Sequence, residues 1–252
     1  FFFLLFFFFL FLFFFFSPPP PPPPPCSAVQ LVVLDMAGTV LDEDNVVYKT
    51  VQRVLQDAGH TEVTLAEVLE HGGGKEKHQA IKDVLQARGV QGVDTQPLFD
   101  RFKQQLGEAY GALAVKPFAG VVELLQALKA RGVAVALNTG YNAATANLLL
   151  DKMGWRRGTE YDVLVTADDV EHGRPAPDMI CKAMAAVGVT EPSRVCKVGD
   201  TAIDIQEGKN AKCGVTAGVT TGAQTRAQLL AADPTTVVDN LQDLLPLLTA
   251  AQ

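Results

Sequence analysis

Residues 26–252 are expected to form an α/β fold built on a doubly wound, mostly parallel sheet, and three observations predict it. From Cys26 onward short apolar runs alternate with amphipathic stretches, the pattern of a parallel sheet covered by helices on both faces. The segments after the apolar runs are polar and rich in glycine, and open sheets of this type bind ligands beyond the carboxyl ends of their strands. Between the first and second runs lies a long interval with helical periodicity alone, so an all-helical insert is expected to interrupt the Rossmann-like sheet.

In chain order, Val29 to Leu34 is the first strand. Val47, Val51, Val54 and Leu55 recur at helical spacing, as do Phe99, Phe102, Leu106 and Tyr110. They place the insert at about 42–116, between the acidic Asp42-Glu43-Asp44 link and Pro117. A return helix carries Val121, Leu124, Leu125 and Leu128 on one face and stops at Gly132. Val133 to Asn138, Tyr161 to Val165, Val195 to Gly199 and Gly214 to Val219 are further buried strands, and Thr236 to Asp239 a short sixth. The core then comprises residues 26–41 and 117–252, with no internal repeat. Trp155, Arg156 and Arg157 are expected at a surface turn after Gly154, and Asp168 and Asp169 in a capping turn.

Residues 1–25 are a different material. Residues 1–16 are only Phe and Leu and hold 12 of the 15 phenylalanines, Ser17 follows, and Pro18 to Pro25 are an unbroken proline run. Sixteen helical residues would span roughly 24 Å, short of the ~30 Å hydrocarbon layer, so no firm membrane association is expected. The basic flank and small-residue cleavage site of a secretory signal are missing, which favours an incomplete or artefactual terminus over a working targeting segment. The cytoplasm is the expected compartment, with organelle targeting by this stretch left open. The proline run is expected to be extended polyproline II, a spacer or a ligand for a proline-reading domain. A net charge of −7 gives no broad positive field for a nucleic-acid backbone. Cys26, Cys181, Cys196 and Cys213 are scattered, which points to neither a zinc site nor a disulfide framework.

The polar segments are Asp35-Met36-Ala37-Gly38-Thr39, Asn138-Thr139-Gly140-Tyr141, Gly173-Arg174-Pro175 and Gly199-Asp200-Thr201-Ala202-Ile203-Asp204. A carboxylate at the end of a buried strand is costly to leave unpaired, and Asp200 and Asp204 bring two more acids toward Asp35, so the cluster calls for a cation. Oxygen ligands without histidine or thiolate favour a hard ion, Mg²⁺ where phosphate is handled. Thr139 and Gly140 present hydroxyl and backbone N–H groups to phosphoryl oxygens, with Thr39 as a further substrate-binding candidate. Arg174 offsets the charge of the transition state, which leaves Asp35 as nucleophile. Alone, each piece is commonly a turn, a cap or a solvated helix face. Their joint order after successive strands carries the reading.

In that order the motifs resemble those of the haloacid dehalogenase (HAD) superfamily, over nearly all of residues 29–222. The resemblance implies a HAD-like core with a helical cap at 42–116. It also implies Asp35 as nucleophile and a Mg²⁺ site made by Asp35, the backbone carbonyl of Ala37, Asp200 and Asp204. Most phosphatases of the superfamily carry a second Asp two residues after the nucleophile as general acid and base, and here Ala37 cannot transfer a proton. The Asp-x-Ala-Gly-Thr pattern, with Arg174 in place of the usual Lys, is similar to the phosphonoacetaldehyde hydrolase branch and its phosphonatase-like relatives. There a cap lysine forms a Schiff base with the substrate aldehyde, so that carbon leaves phosphorus as an enamine.

Within His71-Gly72-Gly73-Gly74-Lys75-Glu76-Lys77-His78, Lys75 best fits the family position and His78, three residues on, is placed to shuttle protons. Lys77 is the alternative if the glycine run shifts the register. Tyr141 is expected to line the pocket. Phosphonoacetaldehyde is the sharpest substrate expectation, with a homodimer through the cap as the assembly. A phosphatase for a small phosphate monoester such as phosphoglycolate and an inactive phospholigand-binding relative are the alternatives.

Overall fold

The computed structural model describes residues 29–249, so the expectation for residues 1–25 falls outside the described residues. Eight strands lie among the described residues: β1 Leu31–Asp35, β2 Leu41–Asp42, β3 Lys116–Pro117, β4 Ala134–Asn138, β5 Val163–Val165, β6 Val195–Gly199, β7 Val215–Val219 and β8 Thr236–Val238. Six of them form one parallel sheet in the order β5-β4-β1-β6-β7-β8. The chain therefore starts in the middle of the sheet and winds outward both ways, and the gap between the loops of β1's two neighbours is the place such sheets reserve for ligands. Strand β1 is buried on both faces, which is why its sequence is a continuous apolar run. Val32 and Leu34 join the larger core cluster, while Leu31 and Val33 join a smaller one on the opposite face with Met179 and Ile180.

The chain between β2 and β3 is helical: α1 Val46–Asp57, α2 Leu65–Gly72, α3 Lys77–Ala87 and α4 Gln96–Ala112. Val47, Val51, Val54 and Leu55 are all buried, as their spacing requires, and α2 starts with a Thr64–Glu67 capping box. The insert leaves and returns through an antiparallel ladder in which Leu41 pairs with Pro117 and Asp42 with Lys116. Two residues per strand leave no periodicity to read, so the sequence did not announce it. The core helices are α5 Val121–Lys129, α6 Ala143–Met153, α7 Asp178–Val187, α8 Ala202–Asn210, α9 Arg226–Ala231 and α10 Leu245–Thr249.

Trp155 corrects one expectation. Gly154, at φ 72°, ends α6 in the left-handed region, and the Trp155 amide then donates to the Leu150 carbonyl at 3.0 Å. That reversal sends the indole into the core, where it is 5% exposed, rather than to a surface turn. Among the described residues no helix is long and apolar enough to cross a membrane.

Candidate active site

Parallel register sets the strand ends level, Asp35 opposite Asn138 and Leu34 opposite Val198. Asp35, Asp200 and Asp204 are buried, and one carboxylate oxygen from each lies within 4.8 Å of the others. Asp204 sits in the first turn of α8, where the helix end favours negative charge, and accepts from the Thr201 hydroxyl. Asp200 is wrapped by backbone. It accepts from the Ala223 amide at 2.6 Å, and a Cβ added at Gly38 or Gly222 would stand 2.4 or 2.0 Å from its Oδ2.

Arg174 reaches into this cluster. Its Nη1 lies 2.7 Å from Asp35 Oδ1 and 3.0 Å from Asp204 Oδ1, and its Nε lies 3.1 Å from Glu207 Oε2. Nη2 donates to the carbonyl and side-chain oxygens of Asn138 at 2.8 and 2.9 Å. Below it Lys197 stands 3.0 Å from Asp204 and 3.2 Å from Glu207, and donates to Asn138 Oδ1 at 2.7 Å. Asn138 in turn donates to both Glu207 oxygens. Lys197 and Glu207 were not among the residues singled out from sequence. A lysine inside the buried run Val195-Cys196-Lys197-Val198-Gly199 is the signal that pointed to the first, and the position three after Asp204 on the same helix to the second.

The charges do not balance evenly. Burial raises the Asp35 carboxyl against the pull of Arg174, and raises Asp200 well above the carboxylate range, helped by the charges of Asp35 and Asp204. Burial acts on Asp204 too, but Arg174 and Lys197 outweigh it and hold its pKa down. Asp204 is thus matched by the Arg174 and Lys197 cations at 3.0 Å, Asp35 shares Arg174 with it, and the ionised form of Asp200 is the least compensated of the three. Three carboxylates with no nitrogen or sulfur donor suit a hard dication at this point.

The other expected residues spread around the rim. Thr39 is fully buried, and among the described residues its hydroxyl has no hydrogen-bond partner. Ala37 is half-buried on the turn after β1 and bridges to Leu41. Thr139 is buried and its hydroxyl accepts from the Tyr141 amide, whereas Gly140 is exposed with open space beside it. The Tyr141 ring meets Tyr110 of α4 edge-on at 6.0 Å, linking this loop to the insert.

The insert closes over the site through its glycine run. A Cβ on Gly74, at φ +73°, would stand 2.7 Å from Thr201 Oγ1, and the Gly74 amide donates to the Tyr48 hydroxyl at 3.0 Å. Helix α3 begins only after this approach, with the Glu76 carboxylate capping it at the His78 and Gln79 amides. Two expectations change as a result. Lys75 lies before the helix, 38% exposed, and its amine pairs with Asp83. Lys77, the first helical residue, carries its amine over the Tyr48 ring at 5.1 Å. There burial lowers the pKa of its ammonium, while the charges of Asp35 and Glu43 oppose the shift. His78 is likewise committed elsewhere, stacked on Phe99 at 4.8 Å with Nε2 2.8 Å from the Thr95 hydroxyl.

A parallel α/β core with an acidic cluster at its switch point and a helical insert after the first strand is the architecture of a HAD-type hydrolase. Residues 29–212 match the family model described as haloacid dehalogenase-like hydrolase, and the chain belongs to that family. A phosphonoacetaldehyde hydrolase from Latilactobacillus sakei is 32% identical over 195 residues, 73% of this chain and 72% of the relative. One from Bacillus cereus is 36% identical over 118 residues, 47% of this chain and 44% of that protein. Among solved structures, a phosphonoacetaldehyde hydrolase-like protein from Oleispira antarctica matches with TM-score 0.78 at 24% identity, covering 92% of this chain and 95% of its own. A structure from Haemophilus somnus, described as a predicted phosphoglycolate phosphatase, matches with TM-score 0.72 at 21% identity, over 88% and 98% of the two chains.

Proposed function

We propose that this hydrolase cleaves the carbon–phosphorus bond of a small phosphonate aldehyde, with phosphonoacetaldehyde as the substrate. The observation that carries the reading is the half-buried Lys77 amine, over the Tyr48 ring and within the electrostatic reach of Asp35, in a site whose Ala37 offers no acid. Residues 42–116 act as the cap that delivers it. The Lys77 amine adds to the aldehyde carbon and water leaves, forming an iminium. Asp35 then attacks phosphorus, the carbon–phosphorus bond breaks, and its electron pair moves into the iminium as an enamine. Arg174 and the hydroxyls of Thr39 and Thr139 hold the phosphoryl oxygens, with the adjacent Gly140 amide and the Tyr141 ring bordering them. Water hydrolyses the aspartyl phosphate, and protonation and hydrolysis of the enamine free acetaldehyde and Lys77. Asp35, Asp200, Asp204 and the Ala37 carbonyl would hold Mg²⁺, which supplies positive charge to the transferring phosphoryl group.

The test is incubation of the purified protein and Mg²⁺ with phosphonoacetaldehyde and, separately, phosphoglycolate, with borohydride to trap an imine. Phosphate release from the phosphonate and an adduct on Lys77 are expected, with activity lost to a chelator. Release from the ester alone overturns the phosphonatase reading in favour of a monoester phosphatase, and binding without turnover identifies a non-catalytic relative. Asp35→Asn is expected to lower hydrolysis by at least about three orders of magnitude. Full activity in that variant removes the nucleophile assignment.

A further inference from the structure

Helix α8 lies close on the sheet because residue 208 is glycine: a Cβ there would stand 2.7 Å from Thr216 Cγ2 and 2.9 Å from Lys197 Cβ. The residue before it, Glu207, is fully buried and follows Asp204 by three, so it lies on the same helix face. It stands outside the group formed by Asp35, Asp200 and Asp204. By charge alone it works against the site, since an anion beside Arg174 and Lys197 weakens the pull of those cations on an incoming phosphoryl group. Replacing buried ion pairs by apolar groups is often neutral or stabilising, so stability does not by itself account for a carboxylate here.

Its contacts show what it does. Both Glu207 oxygens accept from Asn138 Nδ2, at 2.9 and 3.1 Å. The other end of that amide, Oδ1, is thereby turned to the cations, and it accepts from Arg174 Nη2 at 2.9 Å and from Lys197 Nζ at 2.7 Å. Turned over, the amide would set its N–H groups against two cations and its oxygen against Glu207, so the carboxylate leaves it one orientation. Nη2 also donates to the Asn138 carbonyl at 2.8 Å. Glu207 Oε2 stands 3.1 Å from Arg174 Nε, an ion pair whose N–H lacks hydrogen-bond alignment. With Nε and Nη2 taken up in this way, Nη1 is the nitrogen that faces Asp35 and Asp204, at 2.7 and 3.0 Å. A planar fork held along one side is aimed along the other, whereas an ammonium has no plane to fix.

We propose that Glu207 is the positioning residue of Arg174. Through the Asn138 amide and through its own charge at Nε it fixes the guanidinium plane, so that Nη1 points at the Asp35 carboxylate and at the phosphoryl group Asp35 attacks. The inference rests on the reading of Asp35 and Arg174 as the pair that handles the phosphoryl group, and it is independent of Lys77. It also gives position 174 a reason to hold arginine, since only a fork can be aimed by Asn138 and Glu207 together.

The experiment is calorimetric binding of orthovanadate, which takes the shape of a phosphoryl group in transfer, to the protein with Mg²⁺, alongside phosphate release from phosphonoacetaldehyde. The two accounts of Glu207 differ in sign. Removing an anion beside two cations should tighten vanadate binding on charge alone, and loss of aim should weaken it. In Glu207→Gln vanadate is expected to bind about tenfold more weakly, and kcat to fall about 30-fold with KM within about threefold, the mark of an interaction made in the transition state. Glu207→Asp keeps the charge and should recover part of both losses. In an Arg174→Lys background, where there is no fork to aim, Glu207→Gln should change vanadate binding by less than about twofold. If Glu207→Gln does not fold, Asn138→Ala carries the test: Nη2 keeps its bond to the backbone carbonyl but loses Oδ1, and a roughly tenfold weaker vanadate complex is expected. Tighter or unchanged binding in either variant overturns the proposal. So does a full further loss in the Arg174→Lys background, which would make Glu207 a packing residue. The expected vanadate pattern without phosphate release from phosphonoacetaldehyde leaves the positioning role standing and removes the substrate, whereas a wild type that binds no vanadate removes the phosphoryl reading and the proposal with it.

Discussion

The two walls of the cleft are held together by different physics. On the sheet side Asp35, Arg174, Lys197, Asp204 and Glu207 form a chain of ion pairs of 2.7–3.2 Å, laid out by strand register. On the insert side Glu43 and Tyr110 are buried and Lys77, Tyr48 and Tyr141 half-buried, with few direct ion contacts, and desolvation moves Lys77 down and Glu43 up toward neutrality. The first wall fixes charges in place, as phosphoryl transfer requires. The second leaves protons free to move, as the proposed imine chemistry requires. A lysine is therefore expected to behave in opposite ways on the two walls.

The largest effect should come from Lys197→Met. The change leaves Asp204 and Glu207 buried with one counter-charge fewer, and breaking a buried network of this kind costs about 3–5 kcal/mol. A denaturant titration of the variant against wild type measures it. A cost below about 1 kcal/mol would mean that the sheet-side charges relax easily, and the contrast between the walls would dissolve.

Lys77→Met should do the reverse. Its ammonium is already disfavoured by burial, so an apolar chain of similar length is expected to leave stability unchanged or raise it. Hydrolysis of phosphonoacetaldehyde should fall by about 10³-fold, roughly 4 kcal/mol of transition-state stabilisation, with adduct formation abolished. An active Lys77→Met protein would transfer the amine's role elsewhere.

How far each wall was legible in sequence follows the same division. The strand limits to within two residues, and the segments bearing Asp35, Asn138, Arg174, Asp200 and Asp204, could be read because strand ends are marked by abrupt loss of hydrophobicity. Lys197 and Glu207 escaped because their partners are distant in sequence, and a charge inside an apolar run says only that some partner exists. On the insert side the sequence favoured Lys75, with Lys77 as the alternative if the glycine run shifted the register. Which of the two faces the Tyr48 ring depends on where α3 starts, after the approach of Gly74 to Thr201, a tertiary contact. Glu43 was read as part of a charged link, since nothing local shows that Tyr110, 67 residues on, would cover it.

The pH dependence of stability probes the insert side with no substrate present. Glu43 moves from an ordinary value of 4.5 to about 7 on folding, a raised carboxyl. Its contribution is then fully present below about pH 4.5, where both states are protonated, and is lost as pH rises through about 7. Glu43→Gln removes the dependence. Its stability relative to wild type is expected to rise by about 3 kcal/mol between pH 4.5 and pH 8. Asp35 and Asp200 are also raised, but they are present in both proteins and cancel in the difference. A difference that stays flat with pH would mean that Glu43 is ionised at little cost, and the insert wall would resemble the sheet wall after all.

Lys75→Ala should have the smallest effect, and it separates two lysines only two positions apart. The Lys75 amine is partly exposed and its pair with Asp83 is partly solvated, a class of interaction worth about 0–1 kcal/mol. Neither group touches the acidic cluster, so phosphonate hydrolysis and imine trapping are expected to stay within about twofold of wild type. The glycine run makes this more than a surface control. If helix α3 began two residues earlier, Lys75 would take the inward position over Tyr48 and Lys77 would turn toward solvent. Loss of trapping in Lys75→Ala together with retained trapping in Lys77→Met would establish that alternative start, because no change in substrate could exchange the behaviour of the two variants.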